Sequence, residues 1–435
     1  MRLESKNVLV LGAYGFIGAA VARSLQAEGA HVAAFVRNVK TGMQVLPGVT
    51  QVQGDLRFCL QPEDWVAHLE HVDCVVNCAG ALQDGPSDDL EAVHHTAVAA
   101  LGQACARQRI AVVQISAIGA DPDADTDFMR TKAAGDAALR ACDVPLWIFK
   151  PGLVIGQSDY GGTALLRMLA AVPLVQPIAY PQTPVQCVGM PDLCRAVIAA
   201  VADEIPQGTY DLVEDTPAPL SDVLAETRRW MGFTPARITA RMPAAIAGLI
   251  TGGADALGHL GWRSPLRSNA MTLMSDGVIG DPEPYRAATC QSLARLPRIY
   301  AGLACSHEHR LTARMSLLMP LVVAVLSLFW LLSGLFGLIG LPKATSVLTG
   351  AGWSTGMAVA SVLLWSILDI ALGLAILWRP WAARACLAQV AVALFYLLAA
   401  SFTVPGLWLD PLGPLIKTLP AMTLSLVAWP LLQSR

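Results

Sequence analysis

Four apolar stretches near the end of the chain constrain its fold more than any other feature. They cover about residues 317–341, 357–378, 385–404 and 412–432 of the 435-residue sequence. About 20 helical residues at ~1.5 Å rise cross the ~30 Å hydrocarbon core of a bilayer. Each stretch has about that length or more, so the sequence predicts an all-α bundle of four transmembrane helices over residues 315–435.

Charge divides the chain at the same place. The last 121 residues carry seven charged side chains, whereas the first 314 carry 25 basic and 31 acidic ones, a net charge of −6. Such an acidic front part predicts no nucleic-acid partner, because nucleic-acid binding needs a basic field. The ten cysteines include no CxxC pair. We therefore expect buried thiols in a reducing compartment and no metal site.

Lysine and arginine in the short flanks of the stretches predict their orientation. One side carries Arg310, Arg314, Arg379, Arg384 and Arg435. The other side has only Lys343. An even number of spans then places both the N- and C-termini in the cytoplasm. The N-terminus lacks a signal-peptide pattern, so we expect a protein integral to the cell inner (cytoplasmic) membrane.

Ahead of the apolar stretches, short apolar runs alternate with helical segments. The predicted strands are residues 7–11, 31–37, 49–54, 74–79, 111–116 and 146–150, with helices over 15–28 and 89–107. This alternation predicts an α/β Rossmann-type, doubly wound parallel sheet. Residues 1–215 form the predicted NAD(P)-binding domain, and residues 216–314 a substrate-side lobe and linker. Within that lobe, residues 242–260 form either an interfacial or lid helix or an ordinary packed helix.

A glycine motif lies directly after the first strand and opens the first helix. It reads Gly12, Ala13, Tyr14, Gly15, Phe16, Ile17, Gly18. The first glycine permits the tight turn, the second lets a pyrophosphate approach the backbone, and the third lets helix and strand pack closely. The free N–H groups of the helix N-terminus bind phosphate. Gly12, Tyr14, Gly15, Phe16, Ile17 and Gly18 are therefore predicted cofactor-binding residues.

Two further positions bear on the nucleotide. Arg37 ends the second strand where an NAD-selective site offers a carboxylate, and an arginine there pairs with a 2′-phosphate. This favours NADP(H) over NAD(H), the alternative being a solvated surface arginine. Asp55, followed by Leu56, closes the third strand. Its carboxylate either accepts from the adenine amino group or caps the loop.

Taken together, these residues resemble the short-chain dehydrogenase/reductase superfamily, and in detail its atypical, extended branch, which includes NmrA-like sensors and an accessory subunit of respiratory complex I. The resemblance covers roughly residues 5–215 and rests on Gly12, Gly15, Gly18, Gly54-Asp55-Leu56, Asn77 to Gly80, Ser116, Lys132 and Lys150-Pro151-Gly152. It implies that Ala79 and Gly80 line the cofactor cleft and that Asp55 and Leu56 contact the cofactor. It further implies that Lys132 holds the nicotinamide ribose and that Ser116 faces the substrate.

Ser116 and Lys132 are thus the candidate catalytic residues, with a strand-end cap and a solvated helix lysine as their alternatives. The sequence departs from the family at Phe128, where carbonyl reductases of this superfamily have a tyrosine whose phenol donates a proton. Phenylalanine has no such proton. Tyr14 and Tyr160 are possible substitutes, and His94 either relays a proton or merely packs.

The tail resembles the DoxX-like family of four-helix membrane proteins over about residues 315–435. Asp369 lies near the middle of the second span and Lys417 about two turns inside the fourth. Charges in a bilayer are costly and usually have a partner. The two either pair, as a polar site for a quinone headgroup or as a bundle contact, or Lys417 reaches the outer interface.

We therefore expect a membrane-anchored NAD(P)H-binding oxidoreductase that acts on a hydrophobic substrate such as a quinone or isoprenoid lipid in the lipid bilayer. Tethering the cleft beside the membrane raises its effective concentration of such partners. The alternative is a non-catalytic NADPH-sensing or scaffold protein associated with a membrane complex. A third interpretation, transport through the bundle, rests only on Asp369 and Lys417.

Overall fold

The structure is a computed structural model that describes residues 3–81, 84–85, 88–262, 275–411 and 413–433. Leu412, where the fourth span was predicted to begin, and Arg435, which contributed to the predicted orientation, lie outside the described residues.

Thirteen strands lie in the described part of the chain. They are β1 (Asn7–Leu11), β2 (His31–Val36), β3 (Thr50–Gln53), β4 (Cys74–Asn77), β5 (Ala111–Ile115), β6 (Leu146–Pro151), β7 (Leu153–Ile155), β8 (Val175–Ile178), β9 (Pro184–Val185), β10 (Cys187–Gly189), β11 (Gly208–Leu212), β12 (Ala218–Pro219) and β13 (Ile238–Arg241).

The helices over the same residues are α1 (Phe16–Ala27), α2 (Val39–Val45), α3 (Ala97–Gln108), α4 (Asp127–Arg140), α5 (Gly162–Ala170), α6 (Met190–Val201), α7 (Leu220–Trp230), α8 (Ala244–His259), α9 (Glu283–Thr289), α10 (Leu296–Ala301), α11 (His307–Ile339), α12 (Leu341–Gly350), α13 (Thr355–Ala375), α14 (Arg379–Thr403) and α15 (Pro414–Gln433). A π-helical turn (Ala92–Thr96) precedes α3, and short 3-10 turns follow β3.

A seven-stranded parallel sheet organises the front of the chain, in the order β11-β6-β5-β4-β1-β2-β3. This confirms the predicted Rossmann-type sheet. The chain reverses its strand order on either side of β1, and Leu11 pairs with both Phe35 of β2 and Asn77 of β4. The carboxyl ends of these three strands therefore meet at one edge, where open α/β sheets bind ligands.

Both faces of the sheet are buried, as the near-continuous apolar strands predict. Val8 and Val10 join the apolar cluster that includes α1 and α6, whereas Leu9 and Leu11 join the opposite cluster with α3 and Trp65. Alternate residues of one strand thus support two helical layers. The loops at the carboxyl edge therefore rest on a sheet that is packed from both sides.

The described residues of the predicted substrate-side lobe (216–314) form β12, β13 and α7 to α10, and the lobe also pairs strands with β8 and β9 of the predicted NAD(P)-binding domain. The short strands pair as β7 with β10, β9 with β12 and β8 with β13. The predicted helix over residues 242–260 is α8, which begins directly after β13.

The described residues divide into two compact units, and the division differs from the predicted one. Residues to Gly252 and from 275 to Ala313 form the first, so most of the predicted lobe clusters with the Rossmann sheet. Residues 253–262 and those from Arg314 onwards form the second. The boundary falls within α8.

The second unit contains the helices long and apolar enough to cross a membrane. In the described part of the chain there are four, α11, α13, α14 and α15. They agree with the four predicted spans, except that α11 begins at His307, about ten residues before its apolar stretch. The short helix α12, between the first two spans, was not predicted. Small residues let the first two spans approach closely: Ser327 donates to the Gly373 carbonyl at 2.8 Å.

Candidate functional site

The glycine turn after β1 leaves no room for side chains. Gly12 has φ +66°, and a Cβ there would lie 2.7 Å from the Cα of Ala79. A Cβ at Gly18 would collide with the Gly12 carbonyl oxygen, while Gly15 donates its N–H to that same oxygen at 2.9 Å. The turn therefore needs glycine at these points, and it leaves the backbone at the start of α1 open to a phosphate group.

The other residues of the turn are partly buried. Phe16 and Ile17 pack against the apolar cluster beneath α1. The ring of Phe16 lies 3.4 Å from the position that a Cβ on Gly156 would occupy, just after β7. Tyr14 hydrogen-bonds Arg37. Tyr14 therefore belongs to the Arg37 side of the site, and a role as the missing acid has no support in this placement.

Arg37 follows β2 and forms an ion pair with Asp88, with Nη1 2.9 Å from Oδ1. Partial burial alone would lower the pKa of Arg37, but the hydrogen bonds with Asp88 and Tyr14 outweigh it and raise the pKa. A fully charged guanidinium thus lies at the end of the second strand. The Arg37 side chain is 41% exposed, so a 2′-phosphate contact and a solvated surface arginine paired with Asp88 both stay open.

Asp55 caps the 3-10 turn Leu56–Phe58, accepting from the Arg57 N–H at 3.1 Å. Both carboxylate oxygens also accept from the Arg57 side chain, the shortest distance being 2.7 Å from Nη2 to Oδ2. The cap, one of the two alternatives for Asp55, is therefore present. Its contact with adenine stays a prediction, as does that of the buried Leu56.

The end of β4 lies directly beside the glycine turn. Asn77 is fixed by hydrogen bonds to Gln114 at 2.8 Å and to the Ala79 N–H at 3.1 Å. Ala79 contacts Gly12 as described above, and Gly80 is exposed. A Cβ on Gly80 would lie 3.5 Å from Nζ of Lys132. The β4 end therefore brings the glycine turn and Lys132 to one place.

Lys132, on α4, is buried with 5% of its surface exposed. Its ammonium donates to the carbonyl of Ile115 at 3.0 Å and to that of Ala79 at 3.4 Å. Burial lowers its pKa, and the negative charge of Asp136 opposes this shift. The alternative of a solvated helix lysine is wrong, because the side chain lies between the ends of β4 and β5.

Ser116, just after β5, does not face an open cleft. Its hydroxyl donates to Oδ2 of Asp136 at 2.5 Å, and both side chains are buried. Burial raises the pKa of Asp136, while the Ser116 hydrogen bond and Lys132 oppose that shift. Oδ1 of Asp136 has no hydrogen-bond partner. The predicted substrate donor is therefore committed to an internal carboxyl group, and it does not cap the following turn either.

His94 is buried and packed, which is the second of the two roles predicted for it, rather than placed to relay a proton. Nε2 accepts from the Ala81 N–H at 3.1 Å, which leaves the proton on Nδ1 for the Thr131 hydroxyl at 3.0 Å. Burial, helped by the charge of Lys132, lowers the pKa of His94 to about 2. The Phe128 ring meets the imidazole edge-on at 5.4 Å between centroids. A neutral histidine with both ring nitrogens hydrogen-bonded does not take up a second proton near neutral pH, so it cannot pass one on.

Tyr160 is half exposed and precedes α5. Its backbone N–H and carbonyl both bond the Thr163 hydroxyl at 3.0 Å. Sequence reasoning missed Asp136, which accepts a hydrogen bond from Ser116 and acts on Lys132 through its charge. The available signal was its spacing: Asp136 follows Lys132 by four residues and so shares its helix face.

In the membrane unit Asp369 and Lys417 are not paired with each other. Asp369 is buried, with 4% exposed, and accepts from Ser333 at 2.7 Å and from the Tyr396 phenol at 2.7 Å. Lys417 is exposed near the start of α15. The predicted pairing is therefore wrong, and the interpretation that Lys417 reaches outward fits its exposure.

Two family profiles match separate parts of the chain. Residues 12–166 match a profile described as NAD(P)H-binding, and residues 327–426 match the DoxX-like family. The chain therefore carries an NAD(P)H-binding domain and a DoxX-like domain, as the two resemblances implied. With four apolar helices in the described residues, the DoxX-like match supports an integral membrane protein.

One curated relative is the mitochondrial NADH-ubiquinone oxidoreductase 40 kDa subunit of Neurospora crassa. It is 28% identical over 176 residues, which are 39% of this chain and 45% of that subunit. The chain thus spans less than half the length of the curated relative it matches.

Solved structures share the fold. The enzyme WbmH of Bordetella bronchiseptica, in complex with NAD+, aligns with 16% identity and a TM-score of 0.52 over 71% of this chain and 98% of that one. The UDP-N-acetylglucosamine 4-epimerase of Bacillus cereus aligns with 17% identity and a TM-score of 0.50 over 68% and 99%. These likenesses establish the extended Rossmann fold.

Proposed function

We propose, from an NAD(P)H-binding domain joined to a DoxX-like membrane domain, that this protein is a membrane-anchored oxidoreductase that reduces a hydrophobic acceptor such as a quinone or isoprenoid lipid. The observation that carries the proposal is the meeting of the glycine turn, the β4 end and the buried ammonium of Lys132 at the carboxyl edge of the sheet. The close approaches at Gly12 and Gly18 fit a dinucleotide, because side chains there would fill the cradle.

The absence of an acid at Phe128 favours one class of acceptor. Bound NAD(P)H supplies a hydride. A simple carbonyl that accepts it becomes a strongly basic alkoxide and needs a nearby proton donor. A quinone spreads the charge over its ring, so the hydroquinone anion can take its proton from water. Overall, quinone, NAD(P)H and one proton give hydroquinone and NAD(P)+. In this proposal the positive charge of Lys132 stabilises the developing anion.

NADP(H) is the cofactor we propose, because Arg37 places a guanidinium at the end of β2. The Arg37→Glu variant should weaken NADPH binding at least about tenfold, equivalent to about 1.4 kcal/mol, while leaving NADH binding nearly unchanged. Calorimetric titration of both nucleotides tests this. Equal losses for NADPH and NADH would assign Arg37 to holding Asp88 and Tyr14 instead.

We further propose that the protein lies in the cell inner membrane with both termini in the cytoplasm. Arg379 and Arg384 lie together at the start of α14, which supports a cytoplasmic connection between the second and third spans. Fusion of a reporter that is active only in the cytoplasm to the C-terminus should give an active reporter. A silent reporter, with normal membrane insertion, would reverse the proposed orientation.

The main experiment measures binding and turnover in the same sample. The detergent-purified full chain is titrated with NADPH, and reduced-nicotinamide absorbance is followed after adding a short-chain quinone. Quinone-dependent oxidation, lost in Gly15→Trp, is the expected result, because a large side chain fills the phosphate position. Met43→Trp places the same residue on the exposed surface of the domain and should retain activity.

A second candidate is a non-catalytic NADPH-binding sensor or scaffold for a membrane complex. One observation favours it: Ser116, His94 and Phe128 offer no proton to the cleft. The curated relative, named as a subunit of NADH-ubiquinone oxidoreductase, is consistent with this alternative. Tight NADPH binding without turnover on any quinone or lipid carbonyl would select it.

A further inference from the structure

The end of β2, where Arg37 is expected to meet the nucleotide, carries two ion pairs. Nη1 of Arg37 lies 2.9 Å from Oδ1 of Asp88, and Nη2 of Arg57 lies 2.7 Å from Oδ2 of Asp55. The pairs are close enough for the charge of Arg37 to act on both Asp55 and Arg57. Each pair is neutral as a whole. A ligand at this edge of the sheet therefore meets a guanidinium without a net positive field from the four groups.

Asp88 reaches Arg37 from a distant segment, 51 positions along the chain and beyond β4. Its backbone is fastened locally: its N–H donates to the Gly85 carbonyl at 3.2 Å, and its carbonyl accepts from the Gly85 N–H at 2.9 Å. The next residue, Asp89, accepts from the Ala92 N–H at 2.9 Å. An aspartate has a short side chain with few torsions, so a backbone fastened in this way holds the carboxylate in place.

The ion pair occupies only part of the arginine. The Arg37 side chain is 41% exposed, whereas that of Asp88 is 18% exposed. A guanidinium has five N–H donors in a planar fork, and Nη1 is the nitrogen that meets Oδ1 of Asp88. The exposed part of Arg37 is therefore accessible to a phosphate group, which would lie beside the Asp88 carboxylate.

This placement affects NADPH and NADH unequally. The two nucleotides differ at the ribose 2′ position, where NADPH has a phosphate and NADH a hydroxyl. A phosphate monoester carries about −1.5 to −2 charges near pH 7, so Arg37 attracts it and Asp88 repels it. A hydroxyl carries no charge and can donate to a carboxylate, which is the contact that NAD-selective sites use. Asp88 therefore opposes the preference for NADPH that Arg37 favours.

We propose that Asp88 is a specificity-determining residue of the nucleotide site, and that its carboxylate limits the preference for NADPH that Arg37 gives. The inference rests on the proposed function, because it takes Arg37 to lie at the ribose 2′ position. It adds a residue from the segment after β4 to the pattern at the end of β2. Selectivity then depends on the Arg37–Asp88 pair as a unit, not on the arginine alone.

The test is calorimetric titration of the full chain in detergent with NADPH and with NADH, without an acceptor. Asp88→Asn removes the charge and keeps the shape of the side chain. It should raise the affinity for NADPH at least about tenfold and change that for NADH less than about threefold, because the repulsion acts on the phosphate alone. Unchanged affinity for NADPH, or an equal change for both nucleotides, would overturn the proposal.

Ionic strength separates a charge effect from a loss of structure. Asp88→Asn leaves the attraction between Arg37 and the phosphate unopposed. Its affinity for NADPH should therefore fall more steeply between about 50 and about 500 mM salt than that of the unchanged protein, since salt screens exposed charges. NADH affinity should show no such difference. Parallel salt dependences of NADPH binding in the two proteins would contradict the proposed repulsion.

Three variants support the comparison. Asp88→Glu keeps the negative charge and should retain the selectivity of the unchanged protein within about threefold. Glu91→Gln removes a negative charge from the same segment, where Glu91 pairs with His95, and should alter neither affinity. If thermal unfolding shows that Asp88→Asn does not fold, Asp88→Ser removes the same charge with a smaller side chain, and the same expectations apply to it.

Arg37→Glu distinguishes failure of this inference from failure of the proposed function. A selective loss of NADPH affinity in Arg37→Glu, with no gain in Asp88→Asn, would overturn the role of Asp88 and leave the proposed cofactor preference intact. Equal losses for both nucleotides in Arg37→Glu would overturn both. Absence of turnover with any quinone bears on the proposed oxidoreductase alone, because binding is measured without an acceptor.

Discussion

Both units bury charged side chains, and the hydrogen-bond partners of Lys132 in the first differ in kind from those of Asp369 in the second. In the first unit, Lys132 donates to two backbone carbonyls and has Asp136 one helical turn away. In the second, Asp369 accepts from the hydroxyls of Ser333 and Tyr396. Among the described residues, no lysine or arginine lies within ion-pair distance of Asp369.

This difference separates a charge network from a polar contact. Ser116 donates to Asp136, and the negative charge of Asp136 favours the charged form of Lys132, so removing Asp136 leaves both buried groups less well stabilised. Asp369 has neutral donors, so a neutral amide can replace much of what the carboxyl group does. The first arrangement holds the two predicted catalytic residues, and the second joins three membrane helices.

The largest expected effect is at the glycine turn of the first unit. Gly12→Ala should reduce NADPH affinity at least about 100-fold, or about 2.8 kcal/mol, because its Cβ meets the Ala79 backbone at 2.7 Å and its φ is +66°. Calorimetric titration measures this. Gly48→Ala is the control, since its φ is +80° with nothing within 4 Å of the new Cβ. The control should cost about 1–2 kcal/mol of stability and leave binding intact. Equal binding losses would attribute the effect to backbone strain.

The next effect tests the charge network directly. Asp136→Asn should destabilise the first unit by about 1–3 kcal/mol, because it removes the negative charge that favours the charged form of Lys132 and weakens the hydrogen bond from Ser116. Thermal unfolding in detergent follows this change. Combining Asp136→Leu with Lys132→Met should recover part of the loss seen in the single variants, with a coupling of about 1–3 kcal/mol. Strictly additive losses would show that the two side chains act independently.

The stability of the first unit should depend on pH through His94. Burial lowers the pKa of His94 from 6.5 to about 2, so between these two pH values the unfolded chain binds a proton at His94 and the folded chain does not. The contribution of neutral His94 to the free energy of unfolding is fully present above about pH 6.5 and is lost as the pH falls toward 2. At pH 5 the loss is about 2 kcal/mol. His94→Gln should flatten the difference in melting temperature between pH 7.5 and pH 5. His95→Gln, its exposed neighbour paired with Glu91, should not. An unchanged pH difference in His94→Gln would refute the assignment.

The smallest effect is expected in the membrane unit. Asp369→Asn should change stability by no more than about 1 kcal/mol, because hydrogen bonds between membrane helices are individually weak. Melting temperature in detergent provides the comparison, with Asp136→Asn as the reference. Should Asp369→Asn cost as much as Asp136→Asn, the carboxylate would hold a functional charge and the contrast between the units would fail.

Much of the architecture was predictable. The strands, the parallel sheet and the four spans follow from apolar periodicity and length, which depend on local sequence. The short helix α12 and the early start of α11 were missed, because these segments are less apolar than the spans they adjoin. The placement of Arg37, Asn77 and Ser116 at strand ends also followed, since each lies just beyond a predictable apolar run.

The partners of the site residues were not predictable in the same way. Ser116 meets Asp136 across 20 positions, and Asp369 meets Ser333 and Tyr396 across 36 and 27. The sequence left open whether His94 relays a proton or packs. Its role is set by the Ala81 N–H and the Thr131 hydroxyl, which approach the ring from two other segments. No periodicity within one helix encodes such approaches.

The sequence by itself determined the glycine turn, the division between water and lipid, and the lengths of the elements. These are consequences of backbone sterics and of apolar surface, which act within a few residues. Only the tertiary structure decided which polar groups are free. It committed Ser116 to Asp136, neutralised His94, buried Lys132 and separated Asp369 from Lys417, because each side chain's hydrogen-bond partner is set by how distant segments pack.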